Sequence, residues 1–531
     1  MNSHLAITIT LLSSILVILS PLSLPCQGKD TLTLGESLRD GDTLVSKGDI
    51  FELGFFTPEK SNRRYIGVWY RNLSSKLETI LWVANREKPV TNPSGGALTL
   101  ASDGNLIITN TGTDLLWSTN MSSPISTNQS RIVQLLANGN LALNNSDGTT
   151  VWQSFDYPSD TYIPGMRVGL DLQTGVNQVF TSWTSKTDPA PGNFTMGIDP
   201  TRSTQLFVWD GGRPRWRSGR WNGQIFIGIE KMVPTYMYTF KLSNYDLEKK
   251  MYYYTGFNLS HRYLISWDGI DEHLIWSETS RSWTRFFAEP TTPCELYNLC
   301  GNYATCTEID GKSGLEPMCK CLQGHIPAKE IEWSNSNRSS GCVRRVPFKC
   351  EMRGNNGTAD GFWKMQRVKL PDMSEVDVDV MDEAGCHASC LKNCSCKAYS
   401  YVSGIGCLVW GVHLVDMHIF TGGGGNDMYL RLAGIELGQR KKKPVVIIIV
   451  VILSSLALLA CFYLFWRCNR RKQGFVRQRK ERGEGSSGAK RRKDVGSEMS
   501  GVIKITDEGQ AFTSTTNTIR PNKAHYEMGL I

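Results

Sequence analysis

From Pro444 to Trp466 the chain runs 23 residues without a charge, bracketed by Lys441–Lys443 and by Arg467, Arg470, Arg471 and Lys472. As a helix this stretch is about 34 Å long at 1.5 Å per residue, enough for a hydrocarbon core of roughly 30 Å. Core helices of soluble domains are seldom so long and so apolar all round, so 444–466 is read as a single transmembrane helix. A second apolar stretch, "LAITITLLSSILVILSPLSL", opens the chain and turns polar after Leu24, which marks 1–28 as a signal peptide. The expectation is a body exported through 443 and a tail, 467–531, on the other side of the membrane.

Charge agrees once it is divided. The tail holds 15 Lys+Arg against 7 Asp+Glu, and the chain totals are 58 and 50, so residues 1–466 carry 43 of each. Eight cations fall within 467–482, against five in the 13 residues before Pro444, which puts the tail in the cytoplasm and the protein in the type I orientation at the plasma membrane. The pI of 8.7 is therefore no sign of a nucleic-acid partner. The basic run is expected to lie on anionic lipid, with Cys468 a palmitoylation candidate. Rich in Ser, Gly, Lys and Thr, the tail reads as disordered. It lacks the Gly-rich loop, strand Lys, HRD and DFG of a kinase, and G-x-S-x-G and H-E-x-x-H occur nowhere in the chain. No catalytic residue, cofactor or metal is expected.

Twelve of the 15 cysteines fall between 294 and 407, and none between 27 and 293. In an exported segment this clustering points to disulfide-stapled modules too small for a large core. Spacing alone leaves 15 pairings open for each set of six, and zinc is the rival for the first set. The run Cys386, Cys390, Cys394 predicts three thiols on one face of a helix. Nine N-glycosylation sequons, at Asn72, Asn120, Asn128, Asn144, Asn193, Asn258, Asn337, Asn356 and Asn393, all lie on the exported side.

An internal repeat governs the N-terminal part. "LTLASDGNLIITNTGTDLLWSTN" (98–120) aligns with "VQLLANGNLALNNSDGTTVWQSF" (133–155) at an offset of 35, which also relates Trp82, Trp117 and Trp152. Apolar alternation at Leu98, Leu100, Leu106 and Ile108, broken by a Gly-Asn turn, is the pattern of strands in hairpins. One such unit cannot bury its own apolar face, so three are expected to converge their Trp side chains on a shared core.

"FELGFFTPEKSNRRYIGVWY", "LWVANREKPV" and "WQSFDYPSDTYIPGMRVGLD" resemble the bulb-type lectin domain of plant S-domain receptor-like kinases. "TSWTSKTDPAPGNFTMGID" and "WRSGRWNGQIFIGI" are similar to the S-locus glycoprotein domain, "CELYNLCGNYATC" to its EGF-like module, and "EAGCHASCLKNCSCKAYSY" to the PAN/apple domain. The resemblance implies a mostly β, multidomain chain. A β-prism-like lectin domain occupies 29–175, a β-rich S-locus glycoprotein domain 176–290, an EGF-like module 291–345 and an α+β PAN/apple domain 346–432. It also implies the disulfides Cys294–Cys306, Cys300–Cys319 and Cys321–Cys342, then Cys386–Cys407 and Cys390–Cys396, leaving Cys350–Cys394. Its functional implication is a receptor or co-receptor in recognition signalling, of the pollen self-incompatibility or defence kind. The expected ligand is an extracellular peptide or protein, with homo- or hetero-oligomers formed among S-domain receptor kinases. Members usually continue into a serine/threonine kinase, and the tail's lack of those motifs points to a form acting without catalysis. A kinase part missing from this sequence is the alternative.

A glycan ligand is the other alternative, and the residues speak against it. The mannose lectins of the resemblance carry Q-x-D-x-N-x-V-x-Y, whereas the two repeats here read Ala101, Asp103, Asn105, Ile107, Thr109 and Leu136, Asn138, Asn140, Ala142, Asn144. A site built on hydrogen bonds to hydroxyls loses much when those partners go. Asp103, Asn105, Asn138 and Asn140 are thus a degenerate sugar site, more simply read as turn residues beside Gly104 and Gly139. Trp216, Arg217, Arg220 and Trp221 are of the types that dominate binding hot spots and are candidates for ligand contact. A Trp core with Arg stems packed over it is the other reading.

Overall fold

The computed structural model describes residues 28–481 except 74–78, 92–94, 111–113, 123–129, 202, 233, 235–240, 246–249, 255–260, 312–313, 353–357 and 439–442. The signal segment before Gly28, the tail beyond Glu481, Asn128, Asn258 and Asn356 lie outside the described residues.

The repeat folds into three antiparallel four-stranded sheets. Each ends on one of the matched tryptophans, in strands Ile80–Val83, Asp114–Ser118 and Thr150–Gln153. Leu98, Leu100, Leu106, Ile108, Leu135 and Leu141 alternate inward and are fully buried, the period-2 pattern of half-buried strands. Trp82, Trp117 and Trp152 meet edge to face, with centroids 5.7–6.1 Å apart. The fourth strand of every sheet comes from elsewhere. Thr31–Thr33, Ser37–Arg39 and Thr43–Val45 pair with one sheet each, so a single N-terminal run ties all three together.

A second set of three sheets follows. One contains Phe180–Ser185, Asp188–Ile198, Leu206–Asp210 and Arg213–Arg217 in sequence order. The other two corral residues expected in the lectin domain: Thr161–Tyr162 pairs with His261–Ile265, and Arg167–Asp171 with Lys250–Tyr254. These pairings join residues on the two sides of the boundary expected at 175 by backbone hydrogen bonds. One apolar cluster runs from Leu32 to Ile265 through both bodies.

The two disulfide-rich modules share a sheet of eight strands. The hairpin Ala304–Gly311/Gly314–Cys321 joins it through a parallel pairing of Thr305 and Cys306 with Met417 and His418. Helix Glu383–Lys392 starts at Asp382, whose side chain accepts a hydrogen bond from the Gly385 N–H at 2.6 Å. It ends before Cys394, so the expectation of three thiols on one helical face is corrected to two, Cys386 and Cys390. Described as a unit by itself, the helix Lys443–Glu481 contains Ile449–Arg470, which is long and apolar enough to cross a membrane.

Candidate ligand-binding sites

In the two lectin turns, Gly104 and Gly139 adopt φ of +81° and +87°. Gly139 also faces the Phe51 ring at 2.9 Å from where a Cβ would stand, so no other residue fits there. The Asp103 carboxylate accepts from the Asn105 N–H and from its Nδ2, both at 2.9 Å, and these bonds hold the carboxyl below its ordinary range. Asn105 Oδ1 accepts from Thr119 Oγ1 at 3.1 Å and from the Met121 N–H at 2.7 Å. In the next repeat Asn138 accepts from the Asn140 N–H at 3.1 Å, and buried Asn140 donates to Gln153 Oε1 at 2.7 Å. Its Oδ1 accepts from Ser154 Oγ at 3.1 Å. The four polar side chains are thus engaged by their own turns and by the strand that follows. Thr119 and Ser154 stand 35 residues apart, a match legible in the aligned repeats that went unread.

The second candidate, at 216–221, is differently placed. Trp216 and Arg217 are 1% and 2% exposed, and Trp221 packs edge to face on Phe226 at 5.0 Å. Of the residues expected to contact a ligand, Trp216, Arg217 and Trp221 are buried. Arg217 Nη2 donates to the carbonyls of Leu370 at 2.6 Å and Asp416 at 2.9 Å, and its Nε lies 2.6 Å from Asp416 Oδ2. Lys369 Nζ lies 3.1 Å from the same carboxylate, whose other oxygen accepts from the Asn298 N–H at 2.8 Å. One buried aspartate therefore binds three sequence regions together. Burial alone would raise its pKa, but Lys369 and Arg217 outweigh burial and hold it low. The Gly422–Gly425 run makes a further contact between these regions: the Gly422 N–H donates to Glu230 Oε1 at 2.6 Å. At Gly424 a Cβ would stand 2.7 Å from the Glu230 carbonyl oxygen.

Beside this junction lies a cleft of about 490 Å³, lined by Asp199, Gln205, Trp209, Arg220, Tyr297 and Asp372 among others. Gln205 Nε2 and Tyr297 Oη both donate to Asp372, each at 2.8 Å. Arg220, half-buried, donates from Nε to Ser374 Oγ at 2.8 Å, which leaves it on the cleft wall. Half-buried Trp209 stacks on Phe207 at 5.6 Å. Of the sequence-derived set, Arg217 and Arg220 line this cleft. Trp209, Tyr297 and Asp372 were missed, since nothing in one sequence brings 209, 297 and 372 together.

The structure pairs Cys294–Cys306, Cys300–Cys319, Cys321–Cys342, Cys350–Cys394, Cys386–Cys407 and Cys390–Cys396. Thiol clusters with metal-like spacing among the described residues all include cysteines bonded in this way, so none can act as a thiolate ligand. Asn72, Asn120, Asn193, Asn337 and Asn393 are exposed, whereas Asn144 is half-buried and accepts from Thr150 Oγ1 at 2.7 Å. Cys468 is exposed on its helix.

Fold and disulfide pattern define a β-rich, multidomain, receptor-like chain with one candidate membrane span among the described residues. Family models match the D-mannose binding lectin domain at 79–184, the S-locus glycoprotein domain at 216–329 and a PAN-like domain at 350–417. The chain carries these three domains, and its homologues are G-type lectin S-receptor-like serine/threonine-protein kinases. A putative one from Arabidopsis thaliana is 38% identical over 463 residues, 86% of this chain and 54% of its own length. Another from the same plant is 42% identical over 424 residues, 78% of this chain and 49% of its own. The chain thus spans about half the length of the curated relatives it matches. Among solved structures, a monomeric mannose-binding lectin from Gastrodia elata is 20% identical over 24% of this chain and 96% of its own, with a TM-score of 0.18.

Proposed function

We propose that this chain is the recognition part of a single-pass receptor at the plasma membrane, binding an extracellular peptide or protein in the cleft between its S-locus and apple regions. One observation supports this reading: Trp209 and Tyr297 line one cleft of about 490 Å³ together with Arg220 and Asp372. Apolar anchors with a few convergent polar groups are what peptide ligands use. A span in the membrane confines the ectodomain to a plane, where weak lateral contacts suffice for pairing with related receptors. Signalling then passes through the kinases of such partners, or through a kinase that continues this chain.

A peptide library panned against the full chain in nanodiscs tests the reading. Enriched peptides are expected to lose at least tenfold in affinity on Trp209→Ala and on Arg220→Ala. Enriched peptides indifferent to both changes overturn the site. Saturable binding on a glycan array, lost on Asn140→Ala, would favour the glycan reading instead.

A further inference from the structure

The sheet that includes Asp271–Ser277 and Ser282–Glu289 walls a cavity of about 400 Å³, apart from the cleft above. Its lining is largely apolar, with Val168, Met196, Leu206, Phe226, Ile229 and Phe287. Into this lining the strand register sets two carboxyls, because Asp271 and Glu289 stand directly opposite on neighbouring strands. They are 8% and 5% exposed. Asp271 Oδ1 has no hydrogen-bond partner among the described residues. Burial, then Glu272, pushes the Asp271 carboxyl up to about 7, and burial, then Glu295, pushes Glu289 up. Like charges opposite each other in a sheet repel, and a buried carboxyl without a partner costs stability. Lys369 counters part of the charge at Glu289, and among the described residues no cation is bonded to Asp271 Oδ1.

We propose that this cavity binds a small apolar molecule bearing one ammonium group, the body seated between Val168, Leu206 and Phe226 and the ammonium bonded to Asp271. The other ionisable groups facing the cavity do not supply that charge. His273 is held down to about 3 by burial and then by His261, so it is neutral. Arg285 is paired with Glu272, Lys231 is exposed, and burial pushes the Tyr263 hydroxyl up, so it stays uncharged. Occupation requires Asp271 to be ionised, so binding releases its proton and affinity rises with pH through about 7. Primary amines remain protonated to about pH 10 over that range.

Calorimetry with phenethylamine on the full chain in nanodiscs, with empty nanodiscs titrated in parallel, tests the proposal. Phenethylamine is expected to bind about tenfold more tightly at pH 8 than at pH 6, and 3-phenylpropionate not to bind. Asp271→Asn is expected to weaken binding at least tenfold and abolish the pH dependence. Should that variant fail to fold, Ala288→Phe narrows the cavity with Asp271 intact, and loss of binding there supports the site. No binding of phenethylamine, or binding unchanged in either variant, overturns it.

Discussion

Asp416 and Lys369 show why a buried charge is judged by its partners. Asp416 faces two cations, Arg217 and Lys369, at 4%, 2% and 1% exposure. Burial pushes Lys369 down while it holds Asp416 low with Arg217, so the lysine is the strained member of the three. Removing the carboxylate strands two buried cations. Removing the lysine leaves a matched pair. Asp416→Asn is therefore expected to cost about 3–5 kcal/mol, and Lys369→Met to be neutral or stabilising by about 1 kcal/mol. Thermal unfolding of both variants under one buffer checks the contrast. Asp271 gives a pH prediction of opposite sense to an ordinary ion-paired carboxylate. Its folded pKa, about 7, lies above an unfolded value of about 3.9. The stability it contributes is whole below about pH 4 and lost as pH rises to about 7. Asp271→Asn should remove that part of the decline, so its midpoint gains on wild type between pH 5 and pH 8; a parallel pair of curves would contradict the assignment.

Among the elements, the apple region's staples differ in the loops they close. Cys350–Cys394 spans 44 residues and Cys390–Cys396 only 6. In the chain-entropy account these are worth about 4 and about 2 kcal/mol. Replacing both cysteines of the long-range pair with Ser is expected to lower the unfolding midpoint more than the same change in the short one, as calorimetry will register. Helix Glu383–Lys392 was legible from the spacing of Cys386 and Cys390, four residues apart on one face. Its end was not, because periodic cysteines count the same whether they lie on a helix or just beyond it.

In the whole molecule, the S-locus and apple regions hold each other. Without residues 346–432, Arg217 loses Asp416 and Leu370, and Gln205 loses Asp372. Trypsin is expected to cut such a truncated chain after Arg217 or Arg220 and to spare both sites in the intact chain; mass spectrometry of the first fragments reads the outcome. The basic run has its own test. Its eight cations in 467–482 should attract PS-containing vesicles by about 1 kcal/mol each at low salt, and a peptide of that sequence that ignores such vesicles would refute the lipid contact.

By itself the sequence determined what depends on neighbours along the chain. Strand alternation, the 35-residue offset that brings Trp82, Trp117 and Trp152 together, the uncharged span and the four-residue step from Cys386 to Cys390 all act within a few residues or repeat at a fixed step. The tertiary structure decided what depends on residues far apart. It drew 31–45 across three sheets, paired 161–171 with strands between 250 and 264, and buried Arg217 against Asp416, 199 residues away. Hydrogen-bond register and burial settle such pairings, and neither leaves a periodic trace. That is why Arg217 and Arg220, three residues apart in one motif, take different partners, Arg217 the buried Asp416 and Arg220 the hydroxyl of Ser374.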